Sequence, residues 1–189
     1  GNNVFAHVPD INNFVMGLKE LLKASGTITL EFPHLLTLIE NNQYDTIYHE
    51  HFWYFSVYSL QNVFKKYNLS IYDIAELPTH GGSLRLFIKH SENNSLPILN
   101  SVQDIIDREI STGIAKFEYY KTFVKRVSKN KLDILEFLIR QKKNGKKITA
   151  YGAAAKGNTF LNYCWIKNDI IDFVVDASPI KQNKFLPGS

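Results

Sequence analysis

Lys147-Ile-Thr-Ala-Tyr151, then Gly152-Ala-Ala-Ala-Lys-Gly-Asn-Thr159, then Ile170-Ile-Asp-Phe-Val-Val-Asp176 is the stretch that decides the fold class. The spacing predicts a strand over Lys147–Tyr151, a small-residue turn opening a helix, and a second strand over Ile170–Val175. The second strand ends in Asp176, 24 positions after Gly152. This β-loop-α-β unit follows the plan of Rossmann-type nucleotide sites. Glycines let the backbone approach a phosphate, and a helix N-terminus attracts negative charge. An acid at the end of the next strand can hold a ribose hydroxyl. The turn is not a GxGxxG fingerprint. Nor is it a P-loop, because Lys156 precedes Gly157. A cation beside a helix N-terminus is unfavourable unless an anion comes there, so Lys156 points to an anionic ligand.

Working back from this unit, residues 98–143 read as helical, with breaks at Gly113 and at Ser128-Lys-Asn130. Before them, Ser70–Leu77 and Ser83–His90 are strand candidates joined by Pro78-Thr-His-Gly-Gly82, an antiparallel pair with a short turn. Ser59 is a candidate cap for a helix with Leu60, Val63, Phe64 and Tyr67 on one face. Near the start, Val4–Pro9 resembles the tail of a strand. Asp10 can cap a helix whose apolar face is Ile11, Phe14, Val15, Leu18, Leu21 and Leu22. Thr27–Phe32 alternates as a strand stopped by Pro33, and a short helix at about 34–41 follows. The order suggests the second half of an open α/β sheet.

The chain has 189 residues, 44% hydrophobic and 21% charged, with a net charge of +4. That suffices for one sizeable domain or two small ones, and it argues against disorder. The basic run Lys142–Lys147 lacks interleaved aromatics, so it reads as a solvated helix end rather than a nucleic-acid patch. Cys164 is the only cysteine. It excludes an internal disulfide and a cysteine-based zinc site, and it suits a reducing compartment. No apolar run has the length of a membrane span.

Tyr44-Asp-Thr-Ile-Tyr-His-Glu-His-Phe-Trp-Tyr-Phe55 is the densest chemical stretch. Tyr48, His49, Glu50 and His51 place a phenol, two bases and a carboxylate in consecutive positions. Polar groups so framed by rings fit a pocket wall better than a plain core or a solvent loop. If extended, His49 and His51 share one face and Tyr48 and Glu50 the other. If folded into a turn, all four can converge. A histidine can take a proton while a Glu or Tyr orients it or stabilises an oxyanion. A metal held by His49, Glu50 and His51 is the competing reading, although adjacent residues rarely converge on one ion.

Five segments in order carry a resemblance: Asn2-Asn-Val-Phe-Ala-His-Val-Pro-Asp10, Tyr44-Asp-Thr-Ile-Tyr-His-Glu-His-Phe52, Thr79-His-Gly-Gly-Ser-Leu-Arg85, Gly152–Thr159, and Val175-Asp-Ala-Ser-Pro-Ile-Lys-Gln-Asn-Lys-Phe-Leu-Pro-Gly188. Together they resemble the sugar C-methyltransferases, S-adenosylmethionine-dependent enzymes that methylate C3 of a nucleotide-linked 4-keto-6-deoxyhexose. The resemblance implies an α/β chain with a partial class I methyltransferase sheet, then helices, then a Rossmann-like C-terminal α/β domain. It places the C-terminal part of the methyltransferase domain at 1–90 and the C-terminal domain, with a helical lead-in, at 91–189. Family members are about twice as long and begin with a zinc-binding domain. Zinc and most of the S-adenosylmethionine site are therefore expected outside this sequence, and no metal is expected within it.

The resemblance further implies that His51 is the general base for the C3 proton. Glu50 and Tyr48 would position the sugar or stabilise the enolate, and His7 would assist proton transfer. His49 ranks below His51. His80, Ser83 and Arg85 are expected to line the sugar or diphosphate cleft. Gly152, Lys156, Gly157 and Asn158 are expected to cradle the diphosphate or nucleoside, with Asp176 and Lys181 nearby. The implied partner is a nucleotide-linked 4-keto deoxysugar, in the cytoplasm, with neither nucleic acid nor membrane involved. Two rival readings are an inactive module that only binds nucleotide-sugar and an NAD-binding Rossmann-like module.

Overall fold

A computed structural model describes residues 1–188. It is a mixed α/β structure with two compact units. One comprises Gly1–Gln43 and Glu50–Lys121; the other comprises Tyr44–His49 and the chain from Thr122 on. No helix among the described residues is long and apolar enough to cross a membrane.

The first unit is built on a three-stranded sheet of β1 (Ile28–Pro33), β2 (Leu69–Leu77) and β3 (Ser83–His90), in the order β1-β3-β2. The middle strand β3 is antiparallel to both neighbours, with Leu30 opposite Leu86 and Ile74 opposite Leu86. β1 and β2 therefore point the same way, and their carboxyl ends lie at the edge where β3 begins. A bulge between Ile71 and Asp73 shifts the β2 register. On the other side of β1, Gly1–Asn3 run parallel to it: Glu31 N donates to Gly1 O (3.0 Å) and Asn3 N to Glu31 O (2.8 Å). The strand-like segment is thus Gly1–Asn3 rather than Val4–Pro9, because Phe5–His7 turns into a 3-10 helix that buries Phe5 and Ala6.

Around the sheet pack α1 (Ile11–Leu21), α2 (Leu35–Glu40), α3 (Val57–Lys65) and α4 (Asn100–Thr112). Asp10 caps α1 by accepting from Asn13 N. Phe5 is fully buried and lies against Phe55 (4.6 Å between centroids), Phe64 (6.1 Å) and Phe32 (6.2 Å). Each such ring is worth roughly 1.5–3 kcal/mol when removed from water. The turn at Phe5–His7 is therefore anchored to the core by its first residue. The cap of α3 is Ser56, not Ser59: Ser56 Oγ accepts from Ser59 N, and Ser59 lies one turn in. Val57 is buried and starts the apolar face earlier than the Leu60 periodicity suggested.

The turn between β2 and β3 is left-handed. His80, Gly81 and Gly82 have φ of 55°, 83° and 121°. A Cβ on Gly82 would run into Thr37 of α2, and one on Gly81 would meet Gln43 Nε2 at 2.6 Å. Gly82→Ala is expected to lower unfolding free energy by about 1–3 kcal/mol, from backbone strain and overpacking together. Urea denaturation checks it, and a midpoint equal to that of the unmodified chain would contradict this account of the turn.

α5 (Phe117–Lys143) runs unbroken through Ser128–Asn130, with no glycine or proline there to interrupt it. The break at Gly113 is real: it caps α4 with φ of 91°. In the second unit, β4 (Thr149–Tyr151) and β5 (Phe173–Val175) form a parallel pair joined through α6 (Ala155–Cys164). β5 is shorter than the spacing predicted. Ile170 and Ile171 instead close a turn onto Lys167 O and join an apolar cluster with Leu138, Cys164 and Ile166. Tyr44–Thr46 packs against α6: the buried Tyr44 ring lies 5.2 Å from Tyr163 and 6.4 Å from Phe160, and its hydroxyl donates to Asn130 Oδ1 (2.8 Å). Burial pushes the Tyr44 hydroxyl well above the usual phenol range.

Candidate functional site

In the first unit, several polar residues gather where β1 and β2 end. His7 follows the Gly1–Asn3 segment, His34 follows β1, and His80 follows β2. His7 is stitched to the Glu50–Trp53 segment by backbone geometry. Phe52 N and Trp53 N both donate to Ala6 O (2.9 and 3.3 Å), and Trp53 Nε1 donates to Val8 O (2.7 Å).

His7 Nδ1 lies 2.7 Å from Glu50 O. A carbonyl only accepts, so Nδ1 carries the hydrogen and the neutral ring keeps its lone pair on Nε2. The His7 and His51 rings stand 4.9 Å apart at 55°, and Tyr54 meets His51 edge-on at 6.1 Å. The structure therefore brings together two of the four residues expected to be catalytic, separated by 44 positions in sequence. Glu50 contributes its backbone carbonyl to this arrangement, while its side chain is exposed. Tyr48 and His49 belong to the second unit's stretch, where their rings stand 6.3 Å apart.

Of the three residues expected to line the cleft, His80 is exposed on its left-handed turn. Ser83 is buried and donates to Thr79 O (2.9 Å). Arg85 engages Glu31 through Nε (3.2 Å) and a terminal nitrogen (2.7 Å), while Thr79 Oγ1 donates to the other oxygen (3.2 Å). The Arg85 guanidinium holds the Glu31 carboxyl below its usual range. Ser83 and Arg85 thus fasten the turn that presents His80.

In the second unit, Gly152 has φ of 98° and its amide donates to Val175 O (2.8 Å). The Asp176 carboxylate accepts from Ser178 N (2.8 Å) and Ala153 N (2.7 Å), with Lys181 Nζ at 3.4 Å. It holds the glycine turn in place. The N-cap of α6 is Ala154, which makes no side-chain cap hydrogen bond, so the first-turn amides have no side-chain acceptor there, and the half-buried Lys156 lies in that turn. That is the donor set an anion uses at a helix N-terminus. Gly157 lies in this first turn, and Asn158 Oδ1 accepts from Asn162 Nδ2 (3.3 Å). Asn162 also donates to Pro187 O (2.9 Å), which docks the Leu-Pro-Gly segment on α6. A cavity of about 920 Å³ opens beside the turn, lined in part by Ala153, Asp176, Lys181, Leu161 and Phe185.

The amides of Ser178 and Ala153 hold the Asp176 carboxyl below the usual aspartate range, with Lys181 adding to the effect. A depressed folded-state value contributes stability above the unfolded value and loses it as pH falls through the folded one. The loop around Asp176 should therefore loosen only on acidification below about pH 4. Asp176→Asn should flatten that acid limb when amide exchange of Ala153 and Ser178 is followed against pH. An acid limb unchanged in the variant would remove Asp176 from this role.

Two buried residues escaped the sequence reading. Glu109, on α4, is fully buried, and His34 is 2% exposed. Glu109 carried a signal, since it falls on the same helical face as Val102, Ile105 and Ile106. An acid on an apolar stripe needs partners inside. Among the described residues, no group of three or more metal-ligating side chains is close enough to hold an ion.

Residues 78–189 match the family model of the C-methyltransferase C-terminal domain. The chain is 36% identical over 189 residues, all of its own length, to the C-methyltransferase NovU of Streptomyces niveus. It spans 45% of the length of that relative.

Proposed function

The chain belongs to the C-methyltransferase family, and from that premise we propose that it carries the proton-abstraction and sugar-binding half of a methyl transfer to carbon. The substrate in this reading is a nucleotide-linked 4-keto-6-deoxyhexose methylated at C3. The observation that carries it is the His7–His51 ring pair, with the His7 hydrogen fixed on Nδ1 by Glu50 O.

The C4 ketone acidifies the C3 proton. His51 takes that proton as general base, and the C–H electron pair becomes the enolate. His7, with its Nε2 lone pair exposed by tautomer choice, accepts the proton onward or holds it. Glu50 positions the sugar by accepting from its hydroxyls, and Tyr48 positions the sugar or donates to the enolate oxygen. S-adenosylmethionine would supply the electrophilic methyl group. Two bases brought together on separate segments make the proton step the contribution of this chain.

The second unit binds the nucleotide-diphosphate end in this reading. Gly152, Lys156, Gly157 and Asn158 lie at the uncapped start of α6, and Lys156 supplies the charge. Against the NAD-binding alternative stands the turn itself, Gly152-Ala-Ala-Ala-Lys-Gly157, which lacks the GxGxxG spacing of dinucleotide sites. Calorimetry on this chain separates the readings. A nucleoside diphosphate is expected to bind, NADH is not, and Lys156→Ala should weaken the diphosphate by about 1.5–3 kcal/mol, the range for a hydrogen bond to a charged group. Binding of NADH without the diphosphate would sink the assignment. Micromolar binding of S-adenosylmethionine to this chain would place the cofactor's seat within it.

A further inference from the structure

The Glu109 carboxylate is fully buried and accepts three hydrogen bonds. Oε1 takes Val57 N (2.9 Å) and His34 Nε2 (2.7 Å), and Oε2 takes Tyr58 N (2.7 Å). Val57 and Tyr58 are the first two residues of α3. A negative charge at that position satisfies amides that no helix carbonyl reaches, and it complements the helix dipole. A carboxylate only accepts, so His34 Nε2 carries its hydrogen. Thr37 Oγ1 meets the other ring nitrogen at 3.3 Å. The imidazole is thus held on both sides.

The pair also sits at a crossing of backbone segments. His34 N donates to Gly82 O (3.1 Å), and Leu35 N donates to Phe55 O (2.9 Å). His34 forms a parallel bridge with Phe55, four residues after His51. Upstream, Phe52 N is tied to Ala6 O beside His7. The segment bearing His51 is therefore fixed at one end by the His7 turn and at the other by His34 and Glu109. A surface loop would not require an ionisable pair inside the core. A plain helix cap would be met by Ser56 alone, which already serves Ser59 N.

We propose that the buried His34–Glu109 pair is a positioning device for His51: it locks the Phe55–Tyr58 backbone and through it sets the His7–His51 ring contact. Neither residue touches the reacting atoms. Both act through the segment that carries the base. The inference rests on the histidine-base reading above.

The test uses the full-length natural polypeptide, assayed below the unfolding midpoint of every variant. His34→Leu removes the donor to Glu109, and His34→Gln restores an N–H of similar reach. Displacements near 1 Å cost about 10²-fold in rate, so kcat of His34→Leu should fall by about 10- to 100-fold. KM for the nucleotide-sugar should stay within about threefold, and His34→Gln should recover most of the loss. The nuclear Overhauser contact between the His7 and His51 rings should vanish in His34→Leu and return in His34→Gln. Should His34→Leu not fold, Glu109→Gln takes its place, since it keeps the volume and loses one acceptor. An unchanged kcat in either folded variant overturns the proposal, as does a ring contact that survives in both. If the wild-type enzyme transfers no methyl group, the function reading fails. The ring contact then decides the positioning by itself: its loss in His34→Leu and return in His34→Gln support it, and its persistence refutes it.

Discussion

His51→Ala in the full-length enzyme is expected to lower kcat for methyl transfer by about 10²- to 10⁴-fold, the range for loss of a positioned general base. Affinity for the nucleotide-sugar should change little, because the first unit holds His51 on a segment fixed by backbone bonds at Ala6 and Leu35. Removing the imidazole leaves those bonds in place. His7, 4.9 Å away between ring centres, is the natural source of residual activity. His7→Ala should therefore be milder than His51→Ala, and the double variant should lose less than the product of the two. Steady-state kinetics beside calorimetry checks the split. Unchanged turnover in His51→Ala would remove it from the base role.

The largest stability effect is expected at Glu109. Glu109→Ala deletes the acceptor for three donors, two of them amides at the start of α3 and the third on the buried His34. Leaving a donor without its acceptor costs about 1–3 kcal/mol, so losing the acceptor of all three should cost about 3–5 kcal/mol. For a marginally stable domain that is a large share of the total. Guanidinium denaturation of the chain measures it. Glu109→Gln should cost clearly less, since one acceptor remains. A loss under about 1 kcal/mol in Glu109→Ala would mean that water reaches these amides.

Much of the framework was legible in the sequence, for identifiable reasons. The sequence places β3 at Ser83–His90, where it is found, because Gly82 marks its start and alternation its length. Asp10 announced α1 by its side-chain chemistry. The β-loop-α-β order around Gly152 emerged from small residues placed between two apolar runs. What stayed hidden depended on contacts distant in sequence. Ile170 and Ile171 look like strand residues, yet an apolar cluster with Leu138 and Cys164 draws them into a turn. Ser128-Lys-Asn130 looks like a break, yet Asn130 carries the acceptor for the buried Tyr44 hydroxyl and α5 continues.

The candidate site was legible in composition and not in roles. His51 and His7 stood out by their motifs, and the structure places their rings together. Ser83 and Arg85 stood out equally, yet they fasten a turn through Thr79 and Glu31. Residue type alone does not distinguish an arginine that meets a phosphate from one that meets a neighbouring strand's glutamate. Asp176 is similar: its position is that of a ribose acid, and its hydrogen bonds are those of a loop clasp. Glu109 was hidden because its partner His34 lies 75 positions away.

In the proposed reaction this chain removes a proton from the sugar carbon before any carbon–carbon bond forms. That step is tested most directly by proton magnetic resonance of the nucleotide-linked 4-keto-6-deoxyhexose in D₂O, with the full-length enzyme and S-adenosylhomocysteine in place of the methyl donor. The C3 proton signal should wash out with wild-type enzyme and persist with His51→Ala. Persistence of that signal with wild-type enzyme, or equal wash-out in both, would contradict the assignment of proton abstraction to His51.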